Sequence, residues 1–494
     1  MAKMNDLGHL LGGHSLQSAC GILLDFWSKY RALFPQHELR RDVDAGLKPL
    51  SHCLPILFHG DEGVTYRKSG LLVLSIQGIF GHGSSKRDEN FRGATQGIPL
   101  NFLRTGFQTR LLVCVCPKEL YSDDPRVWNA IFEVVVADLA RCQKEGIAIG
   151  SGQEKVFPIL LGNKGDWSYL VSSANLERSY RRAPKGARDD DHNVSGAGIC
   201  HLCTCGQGVD WEDLNAAEAE MERSFVEELP PPWFRECAMT RELLVDRSPN
   251  GKARFHLIDP WHTLHLGVGK SWVACGIMMI QKFLPESQMD ARISFIGSRY
   301  KNFCKRKKLD PVLRKIDWRT FGSATEPSGC WNKAAVTSNF MMFLEEFCEE
   351  HRDVLQGDER LRVFAAGTMR ANEFMRGIYS HDVLIPRDSA MYLSNCLQDF
   401  FKAYLFQAAA AYNLGLAYFG LFPKLHAVHE LSFHLKKDAQ RAGYVMNPAV
   451  FSCSMDEDFI GRCAAVSRCV SPRIMSKRTL ERYLCHIQCA WARN

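Results

Sequence analysis

Hydrophobic positions change period along this chain, and the change separates an early mixed region from a later helical one. Residues 14–35 carry apolar side chains at helical spacing and predict an amphipathic helix. Short apolar runs follow at 54–58, 71–76, 110–116 and 155–162, each of strand length. Between the third and fourth runs the period returns to helical over 125–145, with Asp124 placed to cap that helix and Pro125 at its first position. The first third therefore reads βββαβ. Beyond Asp259 the pattern is mainly helical, over 268–284, 287–306, 335–355, 359–380 and 388–418, with an Arg-rich helical tail at 457–492. No internal repeat or low-complexity segment interrupts it.

The stretch between these regions has neither period. From about 177 it is charged and loop-like (Arg178, Arg181, Arg182, Lys185, Arg188), then passes through Cys200-His-Leu-Cys203 and a Pro231-Pro-Trp233 connector. The pattern predicts an N-terminal helical segment (1–50), a sheet-bearing region (51–180), a cysteine knuckle with connector (181–265), a helical insertion (266–420) and a C-terminal helical part (421–494). The fold class is α/β plus α.

Composition narrows the classes. The 494 residues are 46% hydrophobic and 23% charged, which suits a folded protein of more than one domain. The net charge of +6 permits a polyanionic partner without requiring one. The 19 cysteines are scattered through a chain too long for a small disulfide scaffold. The N-terminus lacks the pattern of a signal peptide. No uninterrupted apolar stretch reaches the ~18–20 residues that span a bilayer. A soluble chain in a reducing compartment is expected, with no membrane partner.

The candidate chemistry lies in short motifs. Cys200 and Cys203 have the spacing with which two thiolates grip one Zn²⁺, and no second Cys-x-x-Cys completes the set. A buried thiol pair or a redox pair fits the same spacing. Downstream, His426, His429 and His434 recur at helical intervals, where packed histidines are also common. Asp61 follows the first apolar run within Gly60-Asp61-Glu62-Gly63, which also reads as a turn. Asp166 follows the fourth run and also reads as a helix cap. Paired carboxylates at strand ends can hold two Mg²⁺ ions about 3.5–4 Å apart for phosphodiester chemistry. The knot Asp456-Glu457-Asp458 opens a predicted helix and offers a third carboxylate. Asp259-Pro-Trp-His262 is a further cluster, either catalytic or a capped junction. The run from Arg299 to Arg319 mixes cations with Tyr300, Phe303 and Trp318, which suits phosphate contact and base stacking or else a solvated helix face.

In order and spacing these motifs resemble the DDE/D cut-and-paste DNA transposases, and most closely the group of CACTA-like elements, Transib and the recombination-activating recombinase. The resemblance implies an RNase H-like mixed sheet, interrupted by a large all-helical insertion and closed by a C-terminal helix. It implies Asp61, Asp166 and Glu457 as the acids that bind two catalytic Mg²⁺ (or Mn²⁺) ions. It implies a structural Zn²⁺ on Cys200, Cys203, His429 and His434, with His426 as a rival and Asp259 as an alternative second acid. Its further implications are DNA nicking and strand transfer, transposon-end and target DNA as partners, a homodimer and the nucleus.

Overall fold

The computed structural model describes residues 7–65, 69–86, 88, 97–150, 154–182, 198–207 and 210–491; Lys185 and Arg188 lie outside them. In chain order the principal elements are α1 (Leu16–Leu33), β1 (Cys53–Val64), β2 (Gly70–Gly78), β3 (Leu111–Pro117), α2 (Pro125–Glu145), β4 (Ile147–Ala148), β5 (Lys155–Gly165), α3 (Trp167–Ser173) and α4 (Leu214–Val226). There follow α5 (Gly269–Ile280), α6 (Met289–Lys307), α7 (Ala334–Glu350), α8 (Glu359–Ser380), β6 (Leu384–Pro386), α9 (Arg387–Asn413), α10 (Pro423–Ala442), β7 (Tyr444–Met446), α11 (Ser454–Arg468) and α12 (Met475–Trp491). They form two compact units. The first comprises residues 1–259, 379–386 and 440–494; the second comprises 260–378 and 387–439. The segment 379–386 belongs to the first unit, where β6 pairs with β7.

The first unit is built on a five-stranded mixed sheet in the order β3-β2-β1-β5-β4. Central β1 runs antiparallel to β2 and parallel to β5, and the two outer pairings are antiparallel. Period-two alternation sends side chains to both faces, and both faces are covered. On one face Ile56, Phe58, Leu72, Leu74 and Leu160 pack with Phe132 and Val136 of α2 and Tyr169 and Leu170 of α3. On the other, Leu71, Val73, Leu112 and Val115 pack with Phe459, Ile460 and Cys463 of α11 and Tyr483 and Ile487 of α12. Each fully buried large apolar side chain contributes about 1.5–3 kcal/mol.

Local signals in the sequence account for several boundaries. Asp124 caps α2 by accepting the Arg126 N–H at 2.9 Å, Pro125 holds the first position, and Gly146 ends the helix at φ 75°. The turn expected at Gly60–Gly63 is instead the second half of β1, paired residue by residue with Val64–Gly60 opposite Gly70–Leu74. Ladder pairing outweighs the turn preference of Asp and Gly there. The helical tail expected over 457–492 consists of two helices, α11 and α12, separated by a turn containing Pro472.

The second unit is helical, with Trp272 of α5 at its centre. Its ring stacks on Phe364 at 4.8 Å and meets Phe400, Tyr404 and Phe419, and its indole N–H donates to Thr368 Oγ1 at 2.9 Å. Residues Trp261–Phe283 are long and apolar enough to cross a membrane, with mean hydropathy 1.2, but 83% of that window is buried in the protein. Two of the three aromatic residues named in the Arg299–Arg319 run are also core: Tyr300 is fully buried and stacks on Phe340 at 3.9 Å, and Phe303 is buried beside Phe343, while Trp318 is half-buried with Arg319 over its ring at 5.4 Å. Arg299 and Arg306 pair with Glu350 and Glu346 of α7. The first part of that run is thus a face of α6 paired with α7, with Tyr300 and Phe303 withdrawn from any base-stacking role.

Two histidines of the first unit make its stability sensitive to acid. Burial holds His37 neutral, with its pKa lowered to about 4, and burial followed by nearby His201 lowers that of His256 to about 3. Between these values and the ordinary 6.5, the unfolded chain binds protons that the folded unit does not, so stability falls as pH drops through this window. Urea midpoints measured from pH 7 to pH 4 should decline steadily below about 6.5.

Candidate functional site

The first unit gathers acidic side chains where α11 crosses the sheet. Cross-strand register sets their faces. Phe58 belongs to the α2 face of β1, so His59 and Asp61 stand on the α11 face, and Asp61 lies opposite Val73 of the α11-side core. Lys164 of β5 pairs in register with His59 and shares that face. Close packing of α11 is permitted by Gly63, whose missing Cβ would stand 2.9 Å from Ile460 Cγ2.

Asp61 and Glu457 converge here, with carboxylate oxygens within 4.8 Å of one another. Asp61 is half-buried, and one of its oxygens also accepts the Glu62 N–H at 2.6 Å; Glu457 is exposed on the first turn of α11. The neighbouring acids are engaged differently. Glu62 accepts Lys118 Nζ and the Tyr121 hydroxyl, both at 2.7 Å. Asp458 pairs with Arg462 one turn along at 2.7 Å. Asp456 is fully buried and takes Lys164 Nζ on Oδ2 at 2.7 Å and Arg110 Nε on Oδ1 at 3.4 Å. Burial alone would raise the Asp456 pKa, but Lys164 and Arg110 overcome it and hold the carboxyl well below its usual range.

Asp166 and Asp259 occupy distinct places. Asp166 caps α3, its Oδ1 accepting the Tyr169 N–H at 2.6 Å. Asp259 follows a segment bonded to β5: Asn163 N–H donates to Phe255 O at 2.8 Å and Leu257 N–H to Asn163 O at 2.9 Å. It is fully buried, and its Oδ1 accepts the N–H of Cys453, the residue that caps α11, at 3.1 Å. The Cys453 thiol is raised well above its usual pKa, by burial first and then by the charges of Asp259, Asp456 and Asp61, against Lys164. His59 has no hydrogen-bond partner for either ring nitrogen among the described residues. Burial holds it neutral, with a pKa near 4. The arrangement can attract a divalent cation between Asp61 and Glu457. Two Mg²⁺–oxygen bonds of about 2.0–2.1 Å span roughly 4 Å, which falls inside the 4.8 Å within which the two oxygens lie.

The cysteine knuckle belongs to the first unit. The Cys200 and Cys203 sulfurs lie within 4.8 Å of one another, and both residues are buried with Cys205. None of the three forms a disulfide. Arg178 braces the loop, donating to the carbonyls of Cys200 at 2.7 Å and His201 at 3.3 Å. His201 Nε2 is directed to the His256 carbonyl at 2.8 Å. The histidine row belongs to the second unit. Glu430 lies between His426 and His434, each of whose Nε2 atoms is 3.4 Å from one of its oxygens. His429 stacks instead on Phe401 at 5.0 Å. Glu430 went unread in the sequence although its i±4 spacing from both histidines is legible; Lys164 and Arg110 were also missed, since nothing local marks a cation for burial.

No protein-family model matches this chain, and no curated protein is significantly similar to it.

The glycine before Asp61 is required by packing. A Cβ on Gly60 would lie 2.1 Å from Tyr169 Cε2, and one on its register partner Gly165 2.3 Å from Cδ1 of the same ring. Gly60→Ala should destabilise the first unit by about 1–3 kcal/mol through overpacking, read as a lowered urea midpoint.

Proposed function

We propose that this chain is a DDE/D transposase-like enzyme that nicks DNA and transfers strands by two-metal phosphodiester chemistry on an RNase H-like core. The observation that carries the reading is the convergence of Asp61 and Glu457, which come from the central strand and from a helix nearly at the end of the chain. The strand order supports it. The first acid sits on a central strand flanked by an antiparallel and a parallel neighbour, and the last acid rides a helix packed on that strand.

Bound divalent Mg²⁺ or Mn²⁺ supplies water activation and stabilisation of the leaving oxygen. The chain's own contribution is to hold Asp61 and Glu457 facing one another. Burial of Asp456 against Lys164 and Arg110 keeps a third carboxylate of the same helix turn away from the cation. Asp166, the second acid by its place after β5, would have to yield its cap on Tyr169 or share its carboxylate with it. Asp259 is the alternative, since it holds the Cys453 N–H at the start of the helix that carries Glu457. DNA ends and target are the proposed partners, a homodimer the proposed assembly, and the nucleus the place where such a substrate is met.

The test is nicking of DNA that carries the parent element's terminal repeats, with Mg²⁺ and the full-length chain. Asp61→Ala and Glu457→Gln should both abolish it. Of Asp166→Asn and Asp259→Asn, the one that abolishes nicking without lowering the unfolding midpoint is the second acid. Undiminished cleavage by Asp61→Ala overturns the assignment. The engagement of Asp166 as a helix cap favours a second reading, a catalytically inactive descendant that binds DNA. It predicts salt-sensitive DNA binding and no metal-dependent cleavage.

A structural Zn²⁺ completes the proposal. The resemblance assigns it the thiols of Cys200 and Cys203 together with imidazoles of α10. The stacking of His429 on Phe401 favours His426 as a ligand over His429. Zinc measured by mass spectrometry should be lost from Cys203→Ser and His426→Ala but retained in His429→Ala.

A further inference from the structure

The buried cations that hold Asp456 away from the proposed site do more than sequester it. Lys164 and Arg110 are both fully buried, yet both are charged and both meet Asp456. Lys164 Nζ also donates to the Ser452 carbonyl at 3.0 Å. Arg110 is fixed in turn by Asn101 O at 3.1 Å and Thr109 Oγ1 at 2.8 Å. The Ser452 hydroxyl meets the Tyr379 hydroxyl at 2.9 Å, and the Cys453 N–H is held by Asp259. Ser452, Cys453 and Asp456 are thus each tied at a polar atom, and the next residue is Glu457.

Burying two cations is costly unless their charge is matched, so this arrangement has a consequence beyond packing. Asp61 and Lys164 stand on the same face of neighbouring strands, with Lys164 opposite His59 and Asp61 two residues further along β1. One rigid strand pair therefore presents both the carboxylate and the ammonium that grips the opposing helix. Displacement of α11 from the sheet would break the Lys164–Asp456 contact together with the facing of Glu457 and Asp61. Without a cation at that point, Asp456 would add its charge to Asp61, Asp259 and Glu457 and drive the helix away.

We infer that Lys164 is a positioning residue, which acts through Asp456 to fix the first turn of α11 and so sets Glu457 opposite Asp61 for a shared divalent cation. This rests on the assignment of Asp61 and Glu457 as metal-binding acids. Arg110 seats Asp456 from its other oxygen and supports the same geometry.

The experiment titrates Mn²⁺ alone into the full-length chain by calorimetry and measures nicking in parallel. Lys164→Met, which keeps side-chain length and removes the charge, should weaken Mn²⁺ binding by about 10–100-fold, the usual effect of losing a group that orients a metal ligand. DNA affinity should be unchanged, and excess Mn²⁺ should restore nicking to Lys164→Met but not to Glu457→Gln. A role in stability alone would lower the unfolding temperature and leave the Mn²⁺ affinity of the folded protein intact; equal affinity for Lys164→Met and wild type overturns the inference. Should Lys164→Met fail to fold, Asp456→Asn undergoes the same titration, with the same outcomes expected. Wild-type protein that binds Mn²⁺ but does not nick DNA overturns the transposase reading, and the positioning role is then decided by the binding arm. Wild-type protein that binds no Mn²⁺ overturns both.

Discussion

The acidic site depends on a buried ion pair that lies beside it. Asp456 and Lys164 lie 292 residues apart in the chain and meet with no solvent exposure at 2.7 Å, with Arg110 on the second carboxylate oxygen. In water such a pair is worth little, because both charges are hydrated and screened. Inside the first unit neither partner can be removed alone, since the survivor is left charged and dry at a cost of roughly 3–5 kcal/mol. The pair therefore acts less as a source of stability than as a condition on geometry: the unit folds with α11 seated over β1 and β5, or it carries an unmatched charge. The acids that face one another across that seam inherit their spacing from this condition.

Much of the fold was legible in the sequence because its signals are local. The strand runs, the Asp124-Pro125 start of α2 and the helical period beyond Asp259 each rest on neighbours a few residues apart, and each appears where the pattern places it. The exceptions share a cause. Gly60–Gly63 has turn chemistry but lies in β1, because pairing with β2 and the close approach of Tyr169 and Ile460 decide its conformation. Tyr300 and Phe303 have the composition of a nucleic-acid surface but are core, because α7 lies against them. In both places the deciding partner is distant in sequence, and a local pattern carries no record of it.

The histidine row shows how much spacing can settle when geometry is taken seriously. At about 100° per residue, positions four and eight apart form one stripe along a helix, while a position three along lies to its side. His426, Glu430 and His434 form that stripe, and the two imidazoles meet the carboxylate between them. His429 lies off it, against Phe401. Counting histidines grouped all three; the contacts separate them and bring in Glu430. Burial would raise the pKa of that carboxylate, but hydrogen bonds from His426 and His434 keep it well below its usual value. A carboxylate held between two imidazoles is the kind of partner that orients metal-ligating histidines.

The same angular reasoning explains why the acid triplet could not be resolved from sequence. Asp456, Glu457 and Asp458 are chemically near-equivalent, and successive residues of a helix differ in direction by about 100°. Only the phase of α11 assigns them: Asp456 inward to Lys164 and Arg110, Glu457 toward Asp61, and Asp458 outward to Arg462. That phase is set by contacts at Ser452, Cys453 and Asp456 with residues from four other parts of the chain. Selection of the acid that faces Asp61 is thus a property of the assembled unit. A triplet of acids at the start of a helix is ambiguous by itself and becomes specific once one member is neutralised by buried cations. The least conspicuous acid of the three, the one with no exposure at all, gives its neighbour a defined direction.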